Sequence, residues 1–249
     1  MARFIFTVAP RPRLAVVLLF LLALFVPQNV RAQTPTPDLM QRLGAYAMRF
    51  ETIRTHASYA VEGKLESIDG SNRVDSRKTM KAHVDADGRK VKFSILQYME
   101  DGQDKTGEAK DKQKKQEAED ANKPPSTKRE WRMPFHPGEQ PRYYFDQVEV
   151  DGRNPARVRI AFRPKIQEDD TIEGSAWVDT TAGTLITAGF KLVKPPSLVN
   201  QVHVTMFFGE QTSLGPAPSR IAVDAAGGVL FVHKRYHAEA TLSGYSLVP

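Results

Sequence analysis

Cysteine is absent from the 249 residues of this chain. Its absence excludes a disulfide framework, a zinc site built on thiolates and a thiol nucleophile. It also excludes lipid attachment to a cysteine after the N-terminal apolar run, the arrangement found in bacterial lipoproteins. The fold must therefore depend on its hydrophobic core, and a chain of this length can bury a sufficiently large one.

Acidic residues are missing from residues 1–32, which contain four arginines. An apolar run extends from Leu14 to Val26, and Val30-Arg31-Ala32 ends the segment with residues that a signal peptidase accepts. This order predicts a secretory signal peptide, cleaved after Ala32, and hence a protein of the periplasm or cell envelope. The alternative is a retained membrane anchor, although a span needs about 20 apolar residues.

The positive charge of the chain lies mostly in this first segment. Its four arginines account for four of the +6 formal charges, which leaves +2 for residues 33–249. So small a charge argues against a nucleic-acid or polyanion partner.

Large apolar side chains are missing from residues 101–128, which contain seven Lys and seven Asp or Glu. Such a segment cannot bury apolar surface, so we expect a solvated loop or a loose helix. It is either a tolerated surface insertion or an arm that contacts a partner. Residues 33–249 are otherwise expected to form one domain around this insertion.

One amphipathic helix is predicted near the start of this domain. Thr36 is a plausible N-cap and Pro37 suits the first helical position, and the helix is expected to end at about Arg54. Its apolar residues recur at steps of three and four, which places them on one stripe: Leu39, Leu43, Tyr46, Phe50 and Ile53.

About ten or eleven strands are predicted from apolar residues that alternate with a period of two. They lie at 57–69, 74–84, 89–99, 143–150, 157–163, 171–179, 184–193, 200–208, a segment ending near 224, 229–236 and 238–245, with turns that include 85–88 and 225–228. Short turns favour antiparallel neighbours. We therefore predict a mainly β (α+β) fold, a large curved antiparallel sheet or half-open β-barrel with the N-terminal helix packed on its concave face.

Sequence patterns for catalysis and metal binding are weak. Neither a Gly-rich phosphate loop nor Gly-x-Ser-x-Gly occurs. His233 and His237 are four residues apart, and on a strand that spacing separates the rings by about 13 Å, too far to share one ion. We predict no catalytic residue, no metal site and no cofactor, and we assign no ligand-binding residue.

Other polar candidates are two acidic pairs and one basic strand face: Asp85 and Asp87, Asp169 and Asp170, and Arg157, Arg159 and Arg163. The acidic pairs lie beside turn signals, where Asp is expected for backbone reasons. The arginine face is either simply solvated or a site for an anionic head group or carboxylate.

Large apolar side chains occur on both faces of several strands, at Phe207-Phe208, Phe231, Tyr143-Tyr144-Phe145 and Trp177. In a half-exposed sheet only one face would be apolar. The second face is therefore either covered by the helix and loops, giving a filled core, or lines an apolar cavity suited to a lipid-like ligand.

The order of these parts resembles the outer-membrane lipoprotein carrier superfamily (LolA/LolB-like, lipoprotein-sorting proteins). The resemblance rests on the helix containing Leu39–Tyr46, on the hairpin of Ile172–Asp179 and Gly183–Ile186, and on the final segment from Arg235 to Tyr245. It covers nearly all of residues 33–249 except 101–128. It implies an open β-barrel with a helical lid and a hydrophobic cavity for acyl chains.

Three hypotheses on function follow. The first is a non-catalytic periplasmic binding protein or carrier for the acyl chain of a lipid or lipoprotein. The alternative is an envelope regulatory or interaction module of the same fold that contacts another protein. The third is a secreted hydrolase, which requires the fold to bring a nucleophile and a base together.

Overall fold

The computed structural model of the chain describes residues 33–88, 90–121, 132–195, 199–229 and 232–247. The predicted signal peptide (1–32) and the last part of the charged insertion (122–128) lie outside these residues. No helix of the described ranges is both long enough and apolar enough to cross a membrane.

Helix α1 spans Pro37–His56 and begins as the sequence predicts. The Leu39 backbone N–H donates to Thr36 Oγ1 at 3.3 Å, so Thr36 is the N-cap, and Pro37 occupies the first turn. The predicted apolar stripe is buried along the whole helix: Leu39, Leu43, Tyr46, Phe50 and Ile53.

Eleven strands form one sheet within the described residues. Their bounds are β1 (Ala57–Ile68), β2 (Val74–Asp87), β3 (Lys90–Glu100), β4 (Gln103–Asp104), β5 (Tyr143–Val150), β6 (Arg157–Pro164), β7 (Ile172–Asp179), β8 (Thr184–Leu192), β9 (Val199–Thr212), β10 (Gly215–Val229) and β11 (Val232–Leu247). The order across the sheet is β4-β3-β2-β1-β11-β10-β9-β8-β7-β6-β5, with every pairing antiparallel. Because β4 and β5 lie at opposite ends and are not paired with each other, the sheet is open. The predicted fold class, a large curved antiparallel sheet with a helix against it, is confirmed.

One predicted turn is wrong, and another, at 85–88, begins too early, since the structure has its turn at Gly88. Residues 225–228 belong to β10, whose ladder with β11 continues through the pairs Ala226↔Arg235 and Gly228↔His233. Small residues there read locally as a hairpin turn, but pairing on both sides keeps them extended. The segments 229–236 and 238–245, predicted as two strands, therefore fall mostly within the single strand β11. Likewise Asp85 and Asp87, predicted in a turn, are part of β2.

The charged insertion contains a helix, α2 (Thr106–Ala121), which agrees with the helical form of the prediction for this segment. Asp104 Oδ1 accepts from the Thr106 backbone N–H at 2.8 Å, which caps the first turn. The Gln113 side chain donates to the Phe93 carbonyl on β3. Apart from two residues paired with β4, β3 is an edge strand, so α2 protects a sheet edge.

Helix α1 packs against one face of the sheet, which we call the inner face. There the ring centroid of Phe208 on β9 lies 6.3 Å from that of Tyr46 and 5.8 Å from that of Phe50. The connector before β5 adds Met133 and Phe135 to the same core. We call the inner face of β5–β9 the packed half, and the inner face of β10, β11 and β1–β3 the open half.

Polar contacts place α1 near the β9–β10 turn. The Tyr46 hydroxyl donates to the Pro216 carbonyl at 2.8 Å, and Arg49 Nε donates to the Leu214 carbonyl at 3.0 Å. The last turn of α1 packs Ile53 against Ala57, the first residue of β1. A helix of this length, about 30 Å, crosses the strands at this end of the sheet and contacts β8, β10, β1 and β2.

Candidate functional site

Strand register aligns two neighbouring rows of side chains on the open half. The row nearer to α1 contains Ile221, Ala240, Gly63, Met80 and Tyr98. The next row contains Val223, Ala238, Leu65, Lys78 and Glu100. Both rows cross β10, β11, β1, β2 and β3, so residues far apart in sequence form one surface.

A trough of about 430 Å³ lies over these rows. Its floor is formed by the small residues Gly63, Ala238 and Ala240, and larger apolar side chains stand on both sides. Neighbouring strands are about 4.8 Å apart. Val223 and Leu65, which flank Ala238, are two strands apart, about 10 Å between backbones, and Ile221 and Met80, which flank Ala240 and Gly63, are three strands apart, about 14 Å. We call this site the apolar trough.

The end of the apolar trough that faces α1 and the end on β2 and β3 differ in polarity. Toward α1 the next row includes Ala82 and Leu242, both buried, so packed side chains close this end. At the β2–β3 end of the row containing Ala238 and Leu65, Lys78 Nζ and Glu100 Oε1 form a partly exposed ion pair of 3.0 Å. The hydrogen bond to Glu100 raises the pKa of Lys78, which keeps its ammonium charged at neutral pH.

A serine, a histidine and an aspartate meet on β1 and β2. Ser58 Oγ lies 2.7 Å from His83 Nε2 and donates to Asp85 Oδ1 at 2.8 Å, and His83 Nε2 is 3.2 Å from the same Asp85 oxygen. In a catalytic triad the serine contacts Nε2 while the carboxylate binds Nδ1 on the other side of the ring. Here one ring nitrogen faces both oxygens, and the serine proton points to the carboxylate. This cluster therefore lacks the geometry of an activated nucleophile.

The predicted histidine pair lies on one strand, β11, as expected. His237 Nδ1 is 2.7 Å from Asp224 Oδ1 on the neighbouring β10, so this ring is held by a cross-strand hydrogen bond. Among the residues that the structure describes, no cluster of three or more His, Cys, Asp or Glu side chains is placed to hold a metal ion.

The second acidic pair is divided between two contacts. Asp170 accepts two hydrogen bonds from the Arg142 guanidinium, at 2.8 and 3.1 Å, and Glu168 binds the same group. The bond with Asp170 is the main reason why the pKa of Arg142 is raised further. Asp169 lies 3.8 Å from Lys194. The Arg142 contacts tie the β6–β7 connection to the start of β5, and the Asp169 contact ties it to the segment after β8, so both have a structural role.

The arginine face of β6 is on the solvent side, as predicted, and the alternate residues of this strand are buried. Arg159 pairs with Glu149 at 2.7 Å. The Arg163 guanidinium lies 4.6 Å from the centroid of the Tyr144 ring. Two of the three cations are therefore already engaged by neighbouring side chains.

Within the described part of the chain, the aromatic side chains singled out from the sequence do not line the apolar trough. Tyr143 and Phe208 are buried in the packed half, which is filled. Phe207 points to the other face, where the Arg220 guanidinium lies 3.9 Å from its ring centroid. Phe231 lies outside the described residues. The cavity and the filled core, posed as alternatives, occupy different halves of one face.

The residues that form the trough floor gave no sequence signal of their own. Ala238 and Ala240 are ordinary small residues until β11 is aligned with β1, where Ala240 pairs with Gly63. That alignment joins positions far apart in the chain. Alternation of small with polar residues in β11 was the available hint, but without the register it indicates only a strand.

Comparison with known proteins identifies neither a family nor a relative by sequence. No protein-family model matches the chain, and no curated protein matches it in sequence. Two solved structures are similar to it, MucB in complex with MucA(peri) and the MucA/MucB complex of Pseudomonas aeruginosa. Each is 10% identical with a TM-score of 0.22; they cover 86% and 85% of this chain and 100% and 99% of the other chains. A TM-score this low supports no argument about function, and the resemblance to lipoprotein carriers stays a prediction.

Proposed function

We propose that this protein is a non-catalytic binding protein of the cell envelope that holds the acyl chain of a lipid or lipoprotein in the apolar trough. The observation that carries the proposal is a trough of about 430 Å³ with apolar walls and a floor of small side chains. Its volume falls in the range of small-molecule sites, about 300–1,000 Å³. The location in the envelope rests on the predicted signal peptide.

The width of the trough at Ala238 argues against a helical ligand in contact with this part of the floor. Its walls at Val223 and Leu65 are about 10 Å apart between strand backbones. An α-helix with side chains is about 10–12 Å in diameter. A helix would therefore rest on the walls and leave the floor at Ala238 uncovered, whereas a single hydrocarbon chain can reach it.

The position of the trough argues against an extended peptide. Strands β10, β11 and β1 are each paired on both sides, so their backbone donors and acceptors are used within the sheet. A peptide lying on this floor would bury its own backbone N–H and C=O groups without partners, which is costly. An acyl chain carries no such groups, and burying about eight methylenes contributes about 6 kcal/mol.

A substitution that fills the trough tests this proposal. Ala240→Phe places a ring on the floor and is expected to weaken binding of a fluorescent C16 fatty acid more than tenfold. Ala222→Phe is the matched control, because Ala222 lies on neighbouring β10 between Ile221 and Val223 and points to the opposite face. Circular dichroism checks that both variants fold.

The proposal fails if the wild-type protein neither binds the fatty acid nor retains lipid in native mass spectrometry. It also fails if Ala240→Phe binds as well as Ala222→Phe, because the chain would then lie elsewhere.

A second candidate function is the binding of another protein through α2. The observation that favours it is the exposure of this helix: of residues 106–119, only Thr106, Ala109 and Gln113 are half-buried, and the others are exposed. A charged helix that contributes so little to packing has its surface available for a partner.

Deletion of residues 106–121 separates the two candidates. If α2 binds a partner, a protein captured from envelope extracts by the full chain is lost on deletion, while fatty-acid binding is unchanged. Retention of the same partner after deletion would exclude α2 as its site.

A further inference from the structure

The polarity of the apolar trough predicts how a ligand is oriented in it. We propose that the trough takes an amphiphile with its tail toward α1 and an oxyanion head group, carboxylate or phosphate, at Lys78. This inference rests on the proposed function, because it concerns the same trough.

The end of the trough on β2 and β3 accepts a polar group, whereas the end that faces α1 does not. The row toward α1 contains Ala82 and Leu242, which are 1% and 6% exposed. A charged head placed there would lose its hydration without gaining a partner. At the other end Lys78 and Glu100 are 36% and 38% exposed, so a head group there keeps contact with water.

Lys78 is the hydrogen-bond donor that the head group would meet. Its ammonium has three N–H donors. Glu100 accepts one of them at 3.0 Å, and the Tyr98 hydroxyl is a second neighbour. One donor is left to a ligand. An oxyanion at this point also lies near the Tyr98 hydroxyl, which can donate to it.

The charged side chains around Lys78 favour a negatively charged head group. The nearby Lys105 is engaged by Glu108 at 2.8 Å, and Glu100 already accepts from Lys78. A cationic head would be repelled by the Lys78 ammonium and would compete with it for Glu100. A neutral hydroxyl would form a weaker hydrogen bond than an oxyanion, because charge assistance about doubles the strength of such a bond.

Four C16 probes that differ only in the head group test the proposal: palmitate, hexadecyl phosphate, hexadecanol and hexadecyltrimethylammonium. We expect Lys78→Met to weaken binding of the two anionic probes about tenfold and to leave hexadecanol unchanged. Lys81→Met is the matched control, since Lys81 lies on the same strand, is also paired with a glutamate (Glu62, 3.1 Å), and does not line the trough. The two anions also show whether carboxylate or phosphate is preferred.

A second variant separates head-group binding from a structural role of the ion pair. Glu100→Gln removes the competing carboxylate and is expected to preserve or strengthen anion binding. If the pair is merely structural, Lys78→Met and Glu100→Gln will weaken the binding of all four probes equally, and that result overturns the proposal.

If hexadecanol binds and Lys78→Met leaves binding of the anionic probes unchanged, the orientation is wrong while the trough remains a binding site. If no probe binds, the proposed function and this inference fail together.

Discussion

The packed half and the open half of the inner face share one sheet and one alternation of side chains, yet they differ in what lies over them. In the packed half, large residues such as Phe162 and Phe208 meet α1 and the segment containing Phe135. In the open half, small residues at Gly63 and Ala240 leave a trough. The alternation of apolar and polar residues along each strand therefore determines which face is apolar. The size of the side chains and the path of α1 determine whether that face is filled.

The sharpest difference between the halves should be in stability. Phe208→Ala removes a ring that is 7% exposed and packed against α1. It is expected to lower the free energy of unfolding by about 3–5 kcal/mol, because a cavity remains. Met80→Ala in the trough should cost about 1 kcal/mol or less, because solvent already reaches this site. Urea denaturation of both variants measures the contrast.

Equal losses for Phe208→Ala and Met80→Ala would contradict this division. The trough residues would then contribute to the free energy of unfolding as much as the packed residues do, and the trough would not be a surface left free for a ligand. A binding assay on the same two proteins completes the comparison, since only Met80→Ala is expected to weaken fatty-acid binding directly.

Alkaline pH tests the contact between α1 and the first residues of β10, where the two halves join. Tyr46 is fully buried, and burial raises its pKa well above the usual value near 10. Below pH 10 the hydroxyl is protonated in both the folded and the unfolded chain. Above pH 10 the unfolded chain ionises first, so the free energy of unfolding falls as pH rises.

Tyr46→Phe should therefore have two effects. At pH 7 it removes the 2.8 Å bond to the Pro216 carbonyl and lowers the free energy of unfolding by about 1 kcal/mol. Above pH 10 the further loss of free energy of unfolding should be smaller than in the wild type, although the half-buried Tyr59 and Tyr245, whose pKa values are also raised by burial, still contribute to it. Tyr144→Phe is the control, since Tyr144 is 48% exposed. If the free energy of unfolding of Tyr46→Phe falls above pH 10 as steeply as that of the wild type, the Tyr46 hydroxyl does not contribute to the contact between α1 and β10.

Local patterns were enough to predict α1, its N-cap Thr36 and most strands, because these depend on neighbours within a few residues. The fold class followed, since short turns require antiparallel neighbours. The turn predicted at 225–228 was wrong because Ala-Ala-Gly-Gly is ambiguous without its partner strands. The trough could not be predicted, because it depends on the pairing of Gly63 with Ala240 and on where α1 stops.

The smallest expected effects lie behind the two halves, on the face that α1 does not cover. Lys191 pairs with Glu173 at 2.8 Å behind the packed half, and Lys81 pairs with Glu62 at 3.1 Å behind the open half. Both pairs are substantially exposed, so each lysine-to-alanine substitution should change the free energy of unfolding by about 0.5 kcal/mol or less. If the contrast between the halves is confined to the inner face, Lys191→Ala and Lys81→Ala will be indistinguishable in urea denaturation. A clearly larger loss for Lys191→Ala would mean that the rigidity of the packed half extends through the sheet, and the difference between the halves would then have to be explained by strand pairing as well as by the helix.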